Sequence, residues 1–275
     1  LLTFIPTPLG NLKDISLRAL EAFREADVLL CEDTRVTKRL LYLLKEDGLL
    51  SCDLSTKIFL SFHTHNQDEF LSKLDLDSNF FNSKVVYSVD AGMPCISDPG
   101  AQLIKYAKMH NIAYEVLPGG SAFSLAYALS GLESSFNFKG FLPSTQKARL
   151  EALKTLSGIN VLYESPKRIL ELLKDINSSF TNCEVYAYKE LTKLHFKSFS
   201  GSPSEVLESM KGANLNGEWC VVLDVKQDSK FITMDEKELL SLRLPLKDKA
   251  KLLAKLRGTN PKECYAFLEA QKEKD

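Results

Sequence analysis

The sequence is short of the residues that build metal and redox sites. It has one tryptophan, four histidines and six scattered cysteines: Cys31, Cys52, Cys95, Cys183, Cys220 and Cys264. No C-x-x-C pair occurs, which excludes a zinc ribbon and a dithiol redox motif. Cys31, Cys183 and Cys220 lie in strand-like runs and are expected to be buried free thiols, so a reducing cytoplasm is the simplest home. No apolar run reaches the roughly 18 residues of a membrane span. The apolar start is too short for a signal peptide and lacks a basic leader; Leu1 is not an initiator methionine, so a trimmed start is expected. Two nucleotide signatures are also missing. Without G-x-G-x-x-G after the first strand, a nicotinamide or flavin Rossmann site is disfavoured, and without G-x-x-x-x-G-K-[ST] a P-loop nucleotidase is excluded.

What remains is an ordinary globular composition: 275 residues, 44% hydrophobic and 26% charged. That length suggests two domains or one large one. The net charge of −1 hides an asymmetry, with −5 over residues 1–138 and +4 over residues 139–197. A polyanion on one face is permitted by this balance and not demanded.

Apolar strand runs alternate with helical patterns in the first half. Leu1 to Ile5, Val28 to Cys31, Lys57 to Phe62, Val85 to Val89 and Ala113 to Leu117 read as five strands of a parallel, doubly wound sheet. In such a sheet the post-strand loops open on one edge, where ligands bind. The stretch Val85 to Gly100 is the centre of the pattern: a buried strand, a long Gly/Pro loop, and Asp98-Pro99 reading as an N-cap and first helical position. Gly131 to Pro143 reads as a boundary. A second α/β unit follows, with Gln146 to Leu156 as a basic amphipathic helix and Gly217 to Leu223 as its last strand. Residues 226–234 read as a polar linker. Beyond them Leu239, Leu240, Leu252, Leu253, Leu256, Tyr265 and Leu268 form the apolar face of a small helical appendage. The expected organisation is therefore 1–133, 134–226 and 227–275.

Several loops carry reactive side chains. His63-x-His65 lacks a third and fourth ligand, so it reads as loop hydrogen bonding and no metal is expected. Glu32-Asp33-Thr34-Arg35 fits either a helix start, where acids favour the positive dipole end, or a site. Lys189-Glu190-Leu191-Thr192-Lys193 fits either a solvated surface or a phosphate-binding loop.

Read together, the motifs Thr-Pro-Leu-Gly-Asn-Leu-x-Asp-Ile-Ser, Glu-Asp-Thr-Arg, Asp-Ala-Gly-x-Pro-x-Ile-Ser-Asp-Pro-Gly, Pro-Gly-x-Ser-Ala, Gly-Phe-Leu-Pro, Tyr-Glu-Ser-Pro-x-Arg, Glu-Leu-Thr-Lys and Gly-Glu form an ordered series over residues 3 to about 223. This series resembles the bacterial small-subunit ribosomal RNA cytidine 2′-O-methyltransferases of the tetrapyrrole methylase superfamily. The resemblance implies two α/β domains around a cleft, a helical tail, S-adenosylmethionine as cofactor and a homodimer. It also implies a decoding-region cytidine of the small ribosomal subunit as target. Carried over position by position, the cofactor neighbours are Leu9, Asp90, Gly92, Met93, Pro94, Ile96, Ser121 and Ala122, with Tyr163, Glu164 and Leu191 from the second domain. A ribose hydroxyl needs help to lose its proton. Glu190 is the candidate base, supported by Lys189 and Lys193, and Asp33 with Arg35 is the first-domain alternative. RNA contacts are expected from Asp33, Arg35, Lys38, Arg39, Lys167, Arg168 and Lys193.

Three positions depart from the pattern: Met93 replaces a threonine, Lys189 an arginine, and Phe196 a glutamate. Two other readings keep the fold. One is a tetrapyrrole methyltransferase, although the Gly-x-Gly-x-Gly-Asp-type first loop is absent. The other is a non-catalytic ribosome-assembly factor.

Overall fold

A computed structural model of the chain describes residues 1–74, 79–226 and 234–272. They form two compact units, 1–226 and 227–275. The first unit opens with β1 (Leu2–Ile5), α1 (Leu17–Glu25), β2 (Val28–Cys31), α2 (Thr34–Glu46), β3 (Ile58–Ser61), α3 (Gln67–Ser72), β4 (Val85–Ser88), α4 (Ala101–Met109), β5 (Tyr114–Val116) and α5 (Ala122–Ser130). The five strands pair in parallel in the order β3-β2-β4-β1-β5. This is the sheet expected from the strand–helix alternation, with β1, β3 and β5 a residue or two shorter than their apolar runs.

Period-2 alternation sends side chains to both faces. Ile5, Leu29, Cys31 and Val86 pack on Phe23 of α1 and Leu41 and Leu44 of α2. Phe4, Leu30 and Tyr87 pack on the other face with Leu103 and Ala107 of α4. Because both faces are covered, these strands read as continuous apolar runs.

The chain continues through β6 (Phe136–Phe141), α6 (Gln146–Leu153), β7 (Gly158–Glu164), α7 (Ile169–Ser179), β8 (Cys183–Lys189), β9 (Lys197–Gly201), α8 (Pro203–Ser209) and β10 (Trp219–Val225). The second sheet has the order β6-β7-β10-β8-β9, with β6 and β7 parallel and the other pairs antiparallel. One face packs on Leu153 of α6, on Leu172 and Ile176 of α7, and on Val206 of α8. The opposite face is covered by α5, whose Ala126 is buried with Val161, Cys220 and Val222. A helix from the 1–133 segment thus packs on the second sheet.

Four local expectations are corrected. Gly131 to Pro143 is not a bare connection, since its aromatic positions form the edge strand β6. The helix expected over Gln146 to Leu156 ends at Leu153, and Arg149 is buried beneath it rather than on a basic solvent face. Helix α4 starts at Ala101 behind Gly100 with no side-chain cap, so Asp98 is not its N-cap. The run His195 to Phe199 alternates as a strand would from its first residue, but β9 begins only at Lys197, and Phe196 stacks on Tyr188.

The second unit holds α9 (Glu236–Ser241), α10 (Leu246–Arg257) and α11 (Pro261–Lys272). Leu239, Leu253, Cys264 and Leu268 form its core. Leu252 and Leu256, expected on that apolar face, point to solvent. Most of the expected polar linker, residues 227–233, lies outside the described residues.

Candidate functional site

The loops after β1, β4 and β5 meet the start of β10 and the end of β7 around a cavity of about 320 Å³. The β4 loop forms one wall. Thr7 and Gly92 exchange backbone hydrogen bonds of 2.9 and 3.0 Å, which lock the first loop to the fourth. Gly92 has φ +87, and a Cβ there would come within 3.2 Å of Leu9 Cδ2. Cys95 and Ser97 also have positive φ, as do Glu190 and Thr192 across the site. Left-handed backbone is costly for such residues. It is concentrated here in the loop that forms one wall and in the loop that places Leu191 on the other.

Leu9, Gly92, Met93, Ile96, Ser121, Ala122, Tyr163, Glu164 and Leu191 all line this cavity. Two further positions from the same carried-over set do not line it. Pro94 is buried. Asp90 Oδ1 accepts from the Asp33 N–H at 3.2 Å, while its own N–H donates to Glu32 Oε2, tying the second and fourth loops together. Met93 removes a hydroxyl from the wall. Small residues at Ala91, Gly92 and Ala122 leave room for a ligand beside backbone groups.

The cavity also takes in residues that sequence reasoning passed over: Ser97, Asp98, Phe141, Ser165, Glu218, Trp219 and Cys220. Trp219 and Cys220 lie opposite Glu164 and Tyr163 in the antiparallel β7–β10 register. That pairing carries the beginning of β10 to the end of β7, and nothing local in the run Gly217 to Leu223 marks it. Asp98 had a sequence signal, but one that reads as a helix cap.

Glu164 is the polar fixture of the wall. It is 2% exposed. Its Oε1 accepts from the Ser165 N–H and pairs with Arg168, each at 2.7 Å. Its Oε2 is buried with no partner among the described residues. A buried carboxylate oxygen left open at a cavity calls for a donor from a ligand. An apolar cavity with a few placed polar groups is the usual form of a small-molecule site, and these residues fit a nucleoside-bearing cofactor.

The expected catalytic trio does not line the cavity. Lys189 is 5% exposed, and its ammonium donates to the Asn214 carbonyl at 2.7 Å. Glu190 Oε1 accepts from the Glu218 N–H at 2.9 Å and from Lys193 Nζ at 3.0 Å. Burial pushes its carboxyl up, but those two donors outweigh burial and hold it below the ordinary value. Lys193 also pairs with Glu218 at 2.8 Å. Asp33 caps α2 and grips Arg35, which brings its carboxyl down to about 2. Carboxylates held in this way are weak bases. Glu190→Gln should therefore lose less than about tenfold in turnover, where removing a general base costs about 10²–10⁴. Single-turnover methyl transfer checks this, and a loss of the larger size would restore Glu190 as the base.

Of the expected RNA contacts, Arg35 is engaged by Asp33 and Arg168 by Glu164. Lys38 is exposed and sits 4.8 Å over the Phe59 ring. Arg39 and Lys167 are exposed as well.

The profile of the family described as Tetrapyrrole (Corrin/Porphyrin) Methylases matches residues 1–206. The chain belongs to the tetrapyrrole methylase family. Among curated members, it is 44% identical over 274 residues to "Ribosomal RNA small subunit methyltransferase I" of Campylobacter fetus subsp. fetus, covering 98% of this chain and 99% of that protein. Among solved structures, cobalt precorrin-4 methyltransferase aligns with TM-score 0.59 and 17% identity, over 81% of this chain and 94% of that one. Uroporphyrin-III C-methyl transferase from Thermus thermophilus, complexed with S-adenyl homocysteine, aligns with TM-score 0.53 and 16% identity, over 80% and 96%. At such identities the structural likeness establishes the fold alone. Within the tetrapyrrole methylase fold, the cavity lies where a doubly wound sheet places a ligand, outside the carboxyl ends of its strands.

Proposed function

We propose that this tetrapyrrole methylase transfers the methyl group of S-adenosylmethionine to the 2′-oxygen of a cytidine in small-subunit ribosomal RNA, near the decoding centre. The observation carrying the reading is 44% identity, over nearly the full length of both chains, to a protein named as a small-subunit ribosomal RNA methyltransferase. The cavity supports it: apolar walls, small residues and the open Glu164 oxygen suit the cofactor, which supplies an activated methyl group on a sulfonium. Leu9, Gly92, Met93, Ile96, Ser121, Ala122, Tyr163, Glu164 and Leu191 would hold it, with Asp90 and Pro94 shaping the loop that carries Gly92 and Met93. The protein's own task is to bind, align the acceptor oxygen and keep water out. A homodimer acting in the cytoplasm, where small subunits are assembled, belongs to the same reading.

The test is transfer of labelled methyl groups to small ribosomal subunits from cells lacking this protein, with the product located by nuclease digestion and mass spectrometry. A ribose-methylated cytidine is expected. Transfer to a tetrapyrrole and not to the subunit would overturn the reading.

Phosphate contacts should fall on Lys38, Arg39 and Lys167, which are exposed and have no carboxylate partner among the described residues. Replacing all three by alanine should weaken subunit binding about equally for every sequence context. The slope of log affinity against log salt should fall by about one per residue removed. An unchanged salt slope, measured by filter binding across a salt series, would place the RNA footprint elsewhere.

A further inference from the structure

Among the carboxylates around the cavity, all but one are occupied. Glu164 is held by Arg168 and Ser165. Glu218 is held by Lys193. Glu190 is held by Lys193 and the Glu218 N–H. Glu32 accepts from the Asp90 N–H, and Asp90 accepts from the Asp33 N–H. Asp98 is the exception. It lines the cavity, and among the described residues nothing donates a hydrogen bond or an ion pair to its carboxylate. Its usual alternative, capping the following helix, is closed to it because α4 begins behind Gly100.

Resting on the ribosomal RNA reading above, the geometry points to Asp98 as the group that takes the proton of the acceptor ribose hydroxyl. An unengaged carboxylate at a ligand cavity is poised to accept a proton, whereas one pinned by cations is not. The open, buried Oε2 of Glu164 in the same wall marks the cavity as a ligand site independently of the acids. Burial, followed by the negative charges of Glu32, Asp90 and Glu218, raises the Asp98 carboxyl to about 7. Tyr87, Cys95 and Tyr163 also face it, and none of them is positively charged. A base near the working pH gives the best compromise between availability and strength.

The step balances without a further reactant. Asp98 takes the hydroxyl proton, and the oxygen's electron pair forms the new bond to the methyl carbon. The carbon–sulfur pair returns to sulfur, leaving S-adenosylhomocysteine, and Asp98 then loses its proton to water.

The experiment compares wild type, Asp98→Asn and Asp98→Glu in single-turnover methyl transfer to small subunits across pH. Calorimetry with S-adenosylhomocysteine and thermal melts without it accompany the kinetics. Asp98→Asn should bind S-adenosylhomocysteine normally, lose about 10²–10⁴ in rate and lose the rise in rate with pH. Asp98→Glu should recover part of that rate and show a pH-dependent rise. The melts read the same carboxyl with no cofactor present. Because its folded value lies above the ordinary 3.8, wild type binds an extra proton when folded and loses stability as pH rises towards about 7. The asparagine variant should therefore melt above wild type at pH 8 and lose that advantage by pH 4.

Loss of S-adenosylhomocysteine binding with the rate profile otherwise kept would make Asp98 a cofactor anchor and overturn the proposal. Methyl transfer surviving in Asp98→Asn would overturn it too. If wild type itself transfers nothing to the subunits, the functional reading falls and the proposal with it, an outcome distinct from wild-type transfer that survives the substitution.

Discussion

Replacing Arg149 with alanine should lower the free energy of unfolding by about 3–5 kcal/mol. The Arg149 side chain is 1% exposed, and its Nε donates to Asp175 Oδ2 at 2.7 Å. Asp175 is also buried, and its other oxygen accepts from Gln146 at 2.9 Å. The pair bolts α6 to α7 on the outer face of the second sheet. Alanine would leave the Asp175 carboxylate buried with only a neutral donor, and an uncompensated buried charge is far more expensive than the intact pair is valuable. For the same reason Arg149→Met with Asp175→Leu, which removes both charges and keeps the volume, should recover most of the loss. Urea unfolding measures both. A single-variant loss below about 1 kcal/mol would mean that water reaches Asp175 in the folded state.

Gly100→Ala should damage stability and activity together. Gly100 has φ +122, and a Cβ there would lie 2.7 Å from Tyr87 Cε1 and 3.0 Å from Cys95 Sγ. The backbone conformation alone costs a residue with a Cβ about 1–3 kcal/mol. The collision is with a ring packed in the core of the first sheet, which adds about 1–3 kcal/mol of overpacking. The loop can relieve this only by moving, and Asp98 sits two residues away. Turnover should then fall more steeply than S-adenosylhomocysteine binding, since alignment of reacting groups is more sensitive than affinity. A variant with wild-type urea midpoint and turnover would show that the loop absorbs the methyl group.

Much of the architecture was legible from residue order. Strand–helix alternation is a short-range pattern, and in a parallel sheet covered on both faces it leaves an unbroken apolar run such as Val28–Cys31. The Gly/Pro loops were legible for the same local reason, and nine of the eleven positions carried over as cofactor neighbours line one cavity. Less legible were the partners of the charged side chains. The sequence run Lys189 to Lys193 offers a base with two supporting cations. In space Lys189 turns to a carbonyl, while Glu190 and Lys193 neutralise each other.

The sequence by itself determined the first, parallel sheet, the Gly/Pro loops that line the cavity and the kinship with ribosomal RNA methyltransferases. These follow from local periodicity, turn chemistry and ordered motifs. Only the tertiary structure decided which acids are free. Asp98 has the local signature of a helix cap, and Arg149 that of a solvated basic face; each was reassigned by partners distant in the chain. A charged group's role depends on the distance to its counter-charge and on its access to water, and both are set by packing between elements that no local pattern encodes.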